Sequence, residues 1–257
     1  MRFHFLRRLS GTLYSAVVME LFERLAYYGV LLVLSIYLQD HLGLQPVLLG
    51  TVFSVFTAAI YLFPILAGAL ADRFGYRPAL LLAFLLLTAG YALLGTTTRF
   101  PLICTALGLI ALGGSIVKPT ISGTVTRTTE AGSTRPVGFG LYYTMVNAGG
   151  LLGPVLAAQI RNRSSFRYVF LASALACGLM LLQALLLFRE PVPEAERKAG
   201  RSLSAVFRDM GLVLANGRFV LLLVLFAGFW GMLFGAMYGF MPLYLQTFGG
   251  LPGAEEA

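Results

Sequence analysis

The sequence predicts an all-α membrane protein, in which six spanning helices form a bundle and a seventh follows a polar connector. Of the 257 residues, 58% are hydrophobic and only 12% are charged, more apolar surface than a soluble chain of this size buries. Seven apolar runs approach or exceed the roughly 20 residues that a spanning helix needs. These runs are residues 12–38, 47–71, 78–96, 100–126, 137–160, 168–188 and 219–245.

The connections between these runs contain glycine, proline or charged residues, which mark turns. Their basic residues also predict the orientation of the chain, because cytoplasmic loops are enriched in Lys and Arg. If the N-terminus is cytoplasmic, the outer connections hold four arginines: Arg99, Arg161, Arg163 and Arg167. The inner segments then hold thirteen basic residues: Arg2, Arg7, Arg8, Arg73, Arg77, Arg127, Arg135, Arg189, Arg197, Lys198, Arg201, Arg208 and Arg218. The net charge of +8 therefore indicates membrane topology rather than binding to nucleic acid.

The longest polar connection, residues 189–218, predicts a boundary between two parts of the chain. It begins with prolines and ends with apolar residues at helical spacing, which is typical of an amphipathic helix at the membrane surface. We therefore predict an N-terminal six-helix bundle over residues 1–188, a cytoplasmic linker over 189–218, and the first helix and tail of an incomplete second bundle over 219–257. Missing helices of that second bundle are expected as its partner in a longer chain.

The first apolar run carries three charges at its centre: Glu20, Glu23 and Arg24. On a helix they share one face with Tyr27 and Tyr28. Arg24 lies about 24 Å along the axis from Arg8 and from Asp40, which flank this run, and its side chain is too short to reach the membrane surface. Charges at this depth indicate a functional site. Two carboxylates against one guanidinium leave one negative charge over, so one glutamate is a candidate proton carrier; the alternative is an ion cluster that only joins helices.

Lys118 is a second charge at depth, in the run from Gly113 to Pro119. It lies about 13 Å from the arginine at the end of its helix. We expect it to be an interior partner of one of the glutamates, and the alternative is a lysine that reaches the membrane surface. Tyr61 and Asn147 are further polar residues within apolar runs, and each is suited either to hydrogen-bond a peptide-like ligand or to bond a neighbouring helix.

A third group of residues follows the second apolar run, in the segment Gly68-Ala-Leu-Ala-Asp72-Arg73-Phe-Gly75-Tyr-Arg77. Asp72 is placed to pair with an arginine of a neighbouring loop or to cap the next helix, and the glycines permit close backbone approach. This segment indicates a conformational latch rather than a substrate site; the alternative is an ordinary polar loop.

At this latch segment the chain resembles the major facilitator superfamily of secondary transporters, whose Gly-x-x-x-Asp-Arg-x-Gly-x-Arg motif it matches at every fixed position. The run from Glu20 to Gly29 resembles the first-helix motif of the proton-dependent oligopeptide transporter family. Lys118-Pro119 falls where that family carries its fourth-helix lysine, and Phe139 to Leu151 resembles its fifth-helix signature, with a departure at Thr144.

The resemblance implies a six-helix bundle built of two inverted three-helix repeats, in a multi-pass protein of the cell (inner) membrane. It also implies that Glu20, Glu23, Arg24 and Lys118 couple protons, while Tyr27, Tyr28, Tyr61 and Asn147 face a short peptide. No cofactor is implied, since a proton gradient would supply the energy. The expected function is proton-coupled symport of short peptides or similar small solutes.

Two departures from the family pattern leave other functions open. Leu31 replaces a basic residue that usually follows the tyrosine pair, and Leu233 and Phe234 stand where the family usually places a seventh-helix glutamate. One alternative is therefore a proton-coupled antiporter that exports drug-like or amphiphilic compounds. Another is a truncated membrane fragment without transport activity. The sequence shows no nucleotide loop, metal-ligand cluster or catalytic triad, so an enzyme is not expected.

Overall fold

The computed structural model of the protein describes residues 9–195, 208, 211–212 and 214–248, and most of these residues are helical. The α-helices are, in chain order, α1 (Gly11–Ile36), α2 (Pro46–Phe74), α3 (Tyr76–Thr96), α4 (Phe100–Thr128), α5 (Arg135–Arg163), α6 (Phe166–Leu186), α7 (Gly217–Phe234) and α8 (Met241–Phe248). Short π-helices, Tyr37–His41 and Gly235–Phe240, continue α1 and join α7 to α8. The predicted all-helical fold is confirmed.

The described residues form two compact units. The first unit contains the described residues 9–30 and 54–195. It includes the charged centre of α1. The second joins Leu31–Phe53 with the described residues after 200. Residues 196–207 of the predicted linker lie outside the described residues, so the boundaries at 188 and 218 stay a prediction.

Four described helical segments are long and apolar enough to span a membrane: Pro46–Pro64, Tyr76–Thr96, Phe100–Thr128 and Phe166–Leu186. A further apolar helix, Gly217–Leu233, is shorter. α1 has a similar length, but its three central charges set it apart from these segments. If α1 spans the membrane, as the sequence predicts, those charges must face protein.

Small residues bring the helices of the first unit close together. A Cβ added to Gly153 on α5 would lie 2.7 Å from the carbonyl oxygen of Leu25 and 3.1 Å from the backbone nitrogen of Gly29, both on α1. Likewise, a Cβ added to Gly113 on α4 would lie 2.8 Å from the carbonyl oxygen of Ala83 on α3. Backbones that approach this closely are typical of membrane helices, which pack through van der Waals contact.

Candidate functional site

The charged residues of α1 form one buried cluster. Nε of Arg24 lies 2.6 Å from Oε2 of Glu23 and 3.0 Å from Oε1 of Glu20. Glu20 is 0% exposed and Glu23 is 1% exposed. Glu20 lies four residues before Arg24 and Glu23 directly precedes it, and the three side chains meet inside the bundle on the face of α1 that the helical spacing predicts.

Helices α4 and α5 enclose this cluster. A Cβ added to Gly114 on α4 would lie 3.8 Å from Oε1 of Glu23, and one added to Gly149 on α5 would overlap the Cβ of Arg24. The buried phenol of Tyr142 on α5 lies beside Glu20. Because glycine has no side chain, the backbones of α4 and α5 can approach the charged side chains closely at these positions.

The contacts within the cluster are close ion pairs rather than well-aligned hydrogen bonds. Both carboxylate oxygens of Glu20, Oε2 of Glu23 and Nε of Arg24 are buried, and none has a hydrogen-bond partner with good geometry in the structure. Buried polar atoms are usually hydrogen-bonded, so each exception calls for a structural or functional explanation. The cluster holds two acidic groups and one basic group, which gives it room for one proton.

Aromatic residues continue the cluster along α1. The guanidinium carbon of Arg24 lies 5.4 Å from the ring centroid of Tyr27, within cation–π distance. The rings of Tyr27 and Tyr28 meet edge to face with centroids 5.2 Å apart. The Tyr28 ring also packs against α5, because a Cβ added to Gly150 would lie 3.5 Å from it.

Tyr61 and Asn147 are exposed in the structure. Tyr61 on α2 is 51% exposed. Asn147 lies one turn before Gly150 on the face of α5 that carries the Tyr28 contact. Both residues are therefore accessible to a ligand, although ligand binding itself stays a prediction.

Lys118 is exposed and makes no ion pair with either glutamate. Arg24 is thus the cation in contact with both carboxylates, whereas the sequence led us to expect a direct partner in Lys118. Lys118 lies one turn beyond Gly114 on α4, and its charge still attracts both carboxylates. Its part in proton coupling stays a prediction, now through electrostatic attraction rather than contact.

The latch segment forms a hydrogen-bond network at the C-terminal end of α2. The Tyr76 hydroxyl donates to Oδ1 of Asp72 at 2.7 Å, and Nε of Arg127 donates to the Tyr76 oxygen at 3.3 Å. Asp72 thus reaches an arginine of α4 through Tyr76, an intermediary that the sequence did not indicate. A cavity of about 440 Å³ lies beside this network, with Gly68 and Pro119 in its lining.

Gly75 and Arg77 fix the turn between α2 and α3. Gly75 has φ +103°, a conformation that other residues rarely adopt, and its N–H donates to the Ala71 carbonyl at 2.9 Å. The Arg77 guanidinium donates to the carbonyl of Leu185 on α6 at 2.6 Å. Arg73 is exposed and lies over the Phe74 ring, 5.6 Å from its centroid.

Glu190, which sequence reasoning missed, caps the N-terminus of α3. Its carboxylate accepts hydrogen bonds from the backbone N–H groups of Tyr76 at 3.0 Å, Arg77 at 2.8 Å and Val192 at 3.1 Å. A carboxylate suits this position because it satisfies free donors and complements the helix dipole. The contact spans more than 110 residues, so local sequence carried no signal for it.

Within the described residues, no group of three His, Cys, Asp or Glu side chains is arranged to hold a metal ion.

Comparisons with known proteins identify similar transporters. The family model of the Major Facilitator Superfamily matches residues 16–255. The chain is 32% identical over 169 residues to dipeptide and tripeptide permease B of Aliivibrio fischeri, covering 65% of this chain and 33% of the permease. It is 30% identical over 165 residues to a di-/tripeptide transporter of Lactococcus lactis, covering 61% and 33%.

Among solved structures, a crystal structure of the peptide transporter POT in complex with sulfate aligns with a TM-score of 0.66 at 27% identity. The alignment covers 86% of this chain and 47% of that chain. The chain therefore spans between a third and a half of the length of these relatives. They are transporters and not enzymes.

Proposed function

Because the chain belongs to the major facilitator superfamily, we propose that the protein is a secondary transporter that couples uptake of short peptides to proton entry. Its relatives are named as dipeptide, tripeptide and peptide transporters. The observation that best supports proton coupling is the buried cluster of Glu20, Glu23 and Arg24.

The charge balance of this cluster explains how one proton would act. With both carboxylates ionised the cluster carries one net negative charge, which is costly in a low-dielectric interior. One proton brings it to neutrality and frees Arg24 from one of its two partners. A change of partners in the middle of α1 gives the bundle two arrangements with different contacts, which is what coupling to a conformational change requires.

The substrate would bind next to the proton site. Tyr27 and Tyr28 adjoin Arg24 on α1, and the exposed side chains of Tyr61 and Asn147 offer a hydroxyl and an amide. Peptides carry amide groups that such side chains can hydrogen-bond. Lys118 would couple the two sites, since it is exposed and its charge acts on both glutamates.

The latch segment would hold one conformational state of the bundle. Asp72, Tyr76 and Arg127 tie α2 and α3 to α4, while Arg77 ties α3 to α6. Gly68 lets α2 approach α4, where a Cβ added to it would lie 3.5 Å from Pro119. We place this segment on the cytoplasmic side of the inner membrane, with a cytoplasmic N-terminus, because of the basic residues at that end.

The experiment that tests the proposal is uptake of a labelled dipeptide by proteoliposomes that contain the protein. An outside-acid pH gradient should drive accumulation above the external concentration, and excess unlabelled dipeptide should compete. Liposomes without protein are the control. Uptake that does not depend on the pH gradient would contradict proton coupling. Uptake that unlabelled dipeptide does not inhibit would contradict short peptides as the substrate.

Export of amphiphilic compounds by proton antiport is the second candidate. It is favoured by Leu31, which stands where peptide transporters usually carry a basic residue and is only 5% exposed. In the same proteoliposomes, an antiporter would expel a loaded amphiphilic dye when the outside is made acidic. A symporter would not.

A further inference from the structure

A second cavity of the first unit lies where α1 begins and α6 ends, and it has a volume of about 710 Å³. This volume is in the range of about 300–1,000 Å³ that is usual for small-molecule sites. The α1 side of its lining includes Ser10, Thr12, Ser15 and Val18. The α6 side includes Gln183, Leu187 and Arg189.

The two walls of this cavity are joined by a polar contact. The side-chain amide of Gln183 donates to the carbonyl oxygen of Ser15 at 3.2 Å and to its Oγ at 3.1 Å. Ser10 is likewise fixed, because its Oγ accepts from the backbone N–H of Leu13 at 3.1 Å. The polar end of the cavity is thus built from side chains that the fold holds in place.

One positively charged side chain also lines this cavity. Arg189 follows the last residue of α6 by three positions, it is exposed, and within the described residues it has no ion pair or hydrogen bond. The neighbouring carboxylate, Glu190, accepts hydrogen bonds from the N-terminus of α3, and the described contacts include no ion pair between it and Arg189. Arg189 is therefore available to an anion at the level where a spanning helix leaves the membrane.

Part of the cavity lining is apolar and exposed. Val18 is 36% exposed and Leu187 is 67% exposed, and the adjacent Leu186 is 75% exposed. Exposed aliphatic side chains at the end of a spanning helix contact lipid chains. The cavity therefore combines a cation at headgroup level with an apolar wall that continues into the membrane, the combination typical of headgroup sites between helices.

We propose that this cavity binds one glycerophospholipid with an anionic headgroup, whose phosphate lies against Arg189 and the hydroxyls of Ser10 and Thr12 and whose acyl chains begin along Val18 and Leu187. A free phosphate would use only the polar end of the cavity. The apolar wall and its exposed leucines favour the lipid. The inference is independent of transport, since lipid binding is measured without it.

The test is native mass spectrometry of the purified protein in detergent with equal amounts of phosphatidylglycerol and phosphatidylcholine. We expect phosphatidylglycerol adducts to exceed those of phosphatidylcholine. Arg189→Gln should reduce them about fivefold, as expected for loss of one basic residue at a lipid surface, and Arg189→Lys should largely restore them. Arg163→Gln removes an exposed charge at the other end of the bundle and should have no effect.

A second variant tests the apolar part of the cavity. Val18→Trp should fill the space and reduce the adducts while the charge of Arg189 is kept. Equal adducts in wild type, Arg189→Gln and Arg163→Gln would overturn the proposal. So would displacement of the lipid by millimolar inorganic phosphate, which would indicate a free-anion site, or a large gain in adducts on deletion of residues 1–8, which would indicate that this segment occupies the cavity.

Discussion

Arg24 and Glu23 form an ion pair of 2.6 Å in the interior of the first unit, where Glu23 is 1% exposed. The same guanidinium nitrogen contacts Glu20, so one cation serves two buried acids. Both carboxylates are buried within the protein, so their charges depend on Arg24 for compensation. The stability of the bundle and the proposed proton site therefore depend on the same three side chains.

Replacement of Arg24 should destabilise the protein strongly. Arg24→Met leaves two buried carboxylates without a cation, and breaking a buried pair in this way costs about 3–5 kcal/mol. The measurement is thermal unfolding of the purified protein in detergent. Arg163→Met, at an exposed position at the end of α5, is the matched control and should change the unfolding free energy by less than about 0.5 kcal/mol. Equal melting temperatures for the two variants would show that the cluster does not stabilise the bundle.

Substitution by alanine should lower the free energy of unfolding at Gly153 and raise it at Gly108. Gly153→Ala places a Cβ 2.7 Å from the Leu25 carbonyl oxygen, so α1 and α5 must move apart at a cost of about 1–3 kcal/mol. At Gly108 nothing lies within 4 Å of the added Cβ. Gly108→Ala should therefore raise the free energy of unfolding by about 0.5–1 kcal/mol, because alanine has the better helix propensity. Unfolding measurements that give both variants the same sign would contradict the close packing of α1 against α5.

Glu190→Ala should loosen the first turn of α3. Loss of a capping side chain costs about 0.5–2 kcal/mol, and the amides of Tyr76 and Arg77 lose their acceptor. Hydrogen–deuterium exchange should therefore be faster at the start of α3. Glu130→Ala is the control, because that exposed carboxylate accepts only from Ser133 among the described contacts. Unchanged exchange at the start of α3 would mean that the cap does not stabilise this turn.

The helices could be predicted from the sequence because the membrane imposes a length on them. The ends of the apolar runs 78–96 and 168–188 differ from those of α3 and α6 by at most two residues. The shared face of Glu20, Glu23 and Arg24 followed from helical spacing alone. These features depend on neighbouring residues, which the sequence shows directly.

Contacts between helices could not be predicted in the same way. Lys118 was expected to contact a glutamate because it lies far from the end of its helix, but the rotation of α4 that exposes its side chain depends on packing. Glu190 and Gln183 act on residues more than 100 positions away. Gln183 had one available signal, a polar residue in an apolar helix, whereas Glu190 in a polar connection had none.

Tyr61→Phe should weaken binding of a dipeptide and leave the turnover number nearly unchanged. Loss of one hydrogen bond costs about 0.5–1.5 kcal/mol, which corresponds to a rise in KM of about two- to tenfold. Initial rates of uptake over a range of dipeptide concentrations separate KM from kcat. Tyr168→Phe on α6, where the ring is 56% exposed, is the control. A KM that does not differ between the two variants would remove Tyr61 from the substrate site.

The most direct test of the proton site is peptide-driven proton movement through the Glu23→Gln variant. Proteoliposomes that contain a pH-sensitive dye should acidify inside when a dipeptide is added to the wild-type protein. Glu23→Gln should abolish this acidification while exchange of labelled for unlabelled dipeptide across equal pH persists, and Glu130→Gln should behave like wild type. If Glu23→Gln moves as many protons per peptide as the wild type, the buried carboxylate does not carry the coupled proton and the account is wrong.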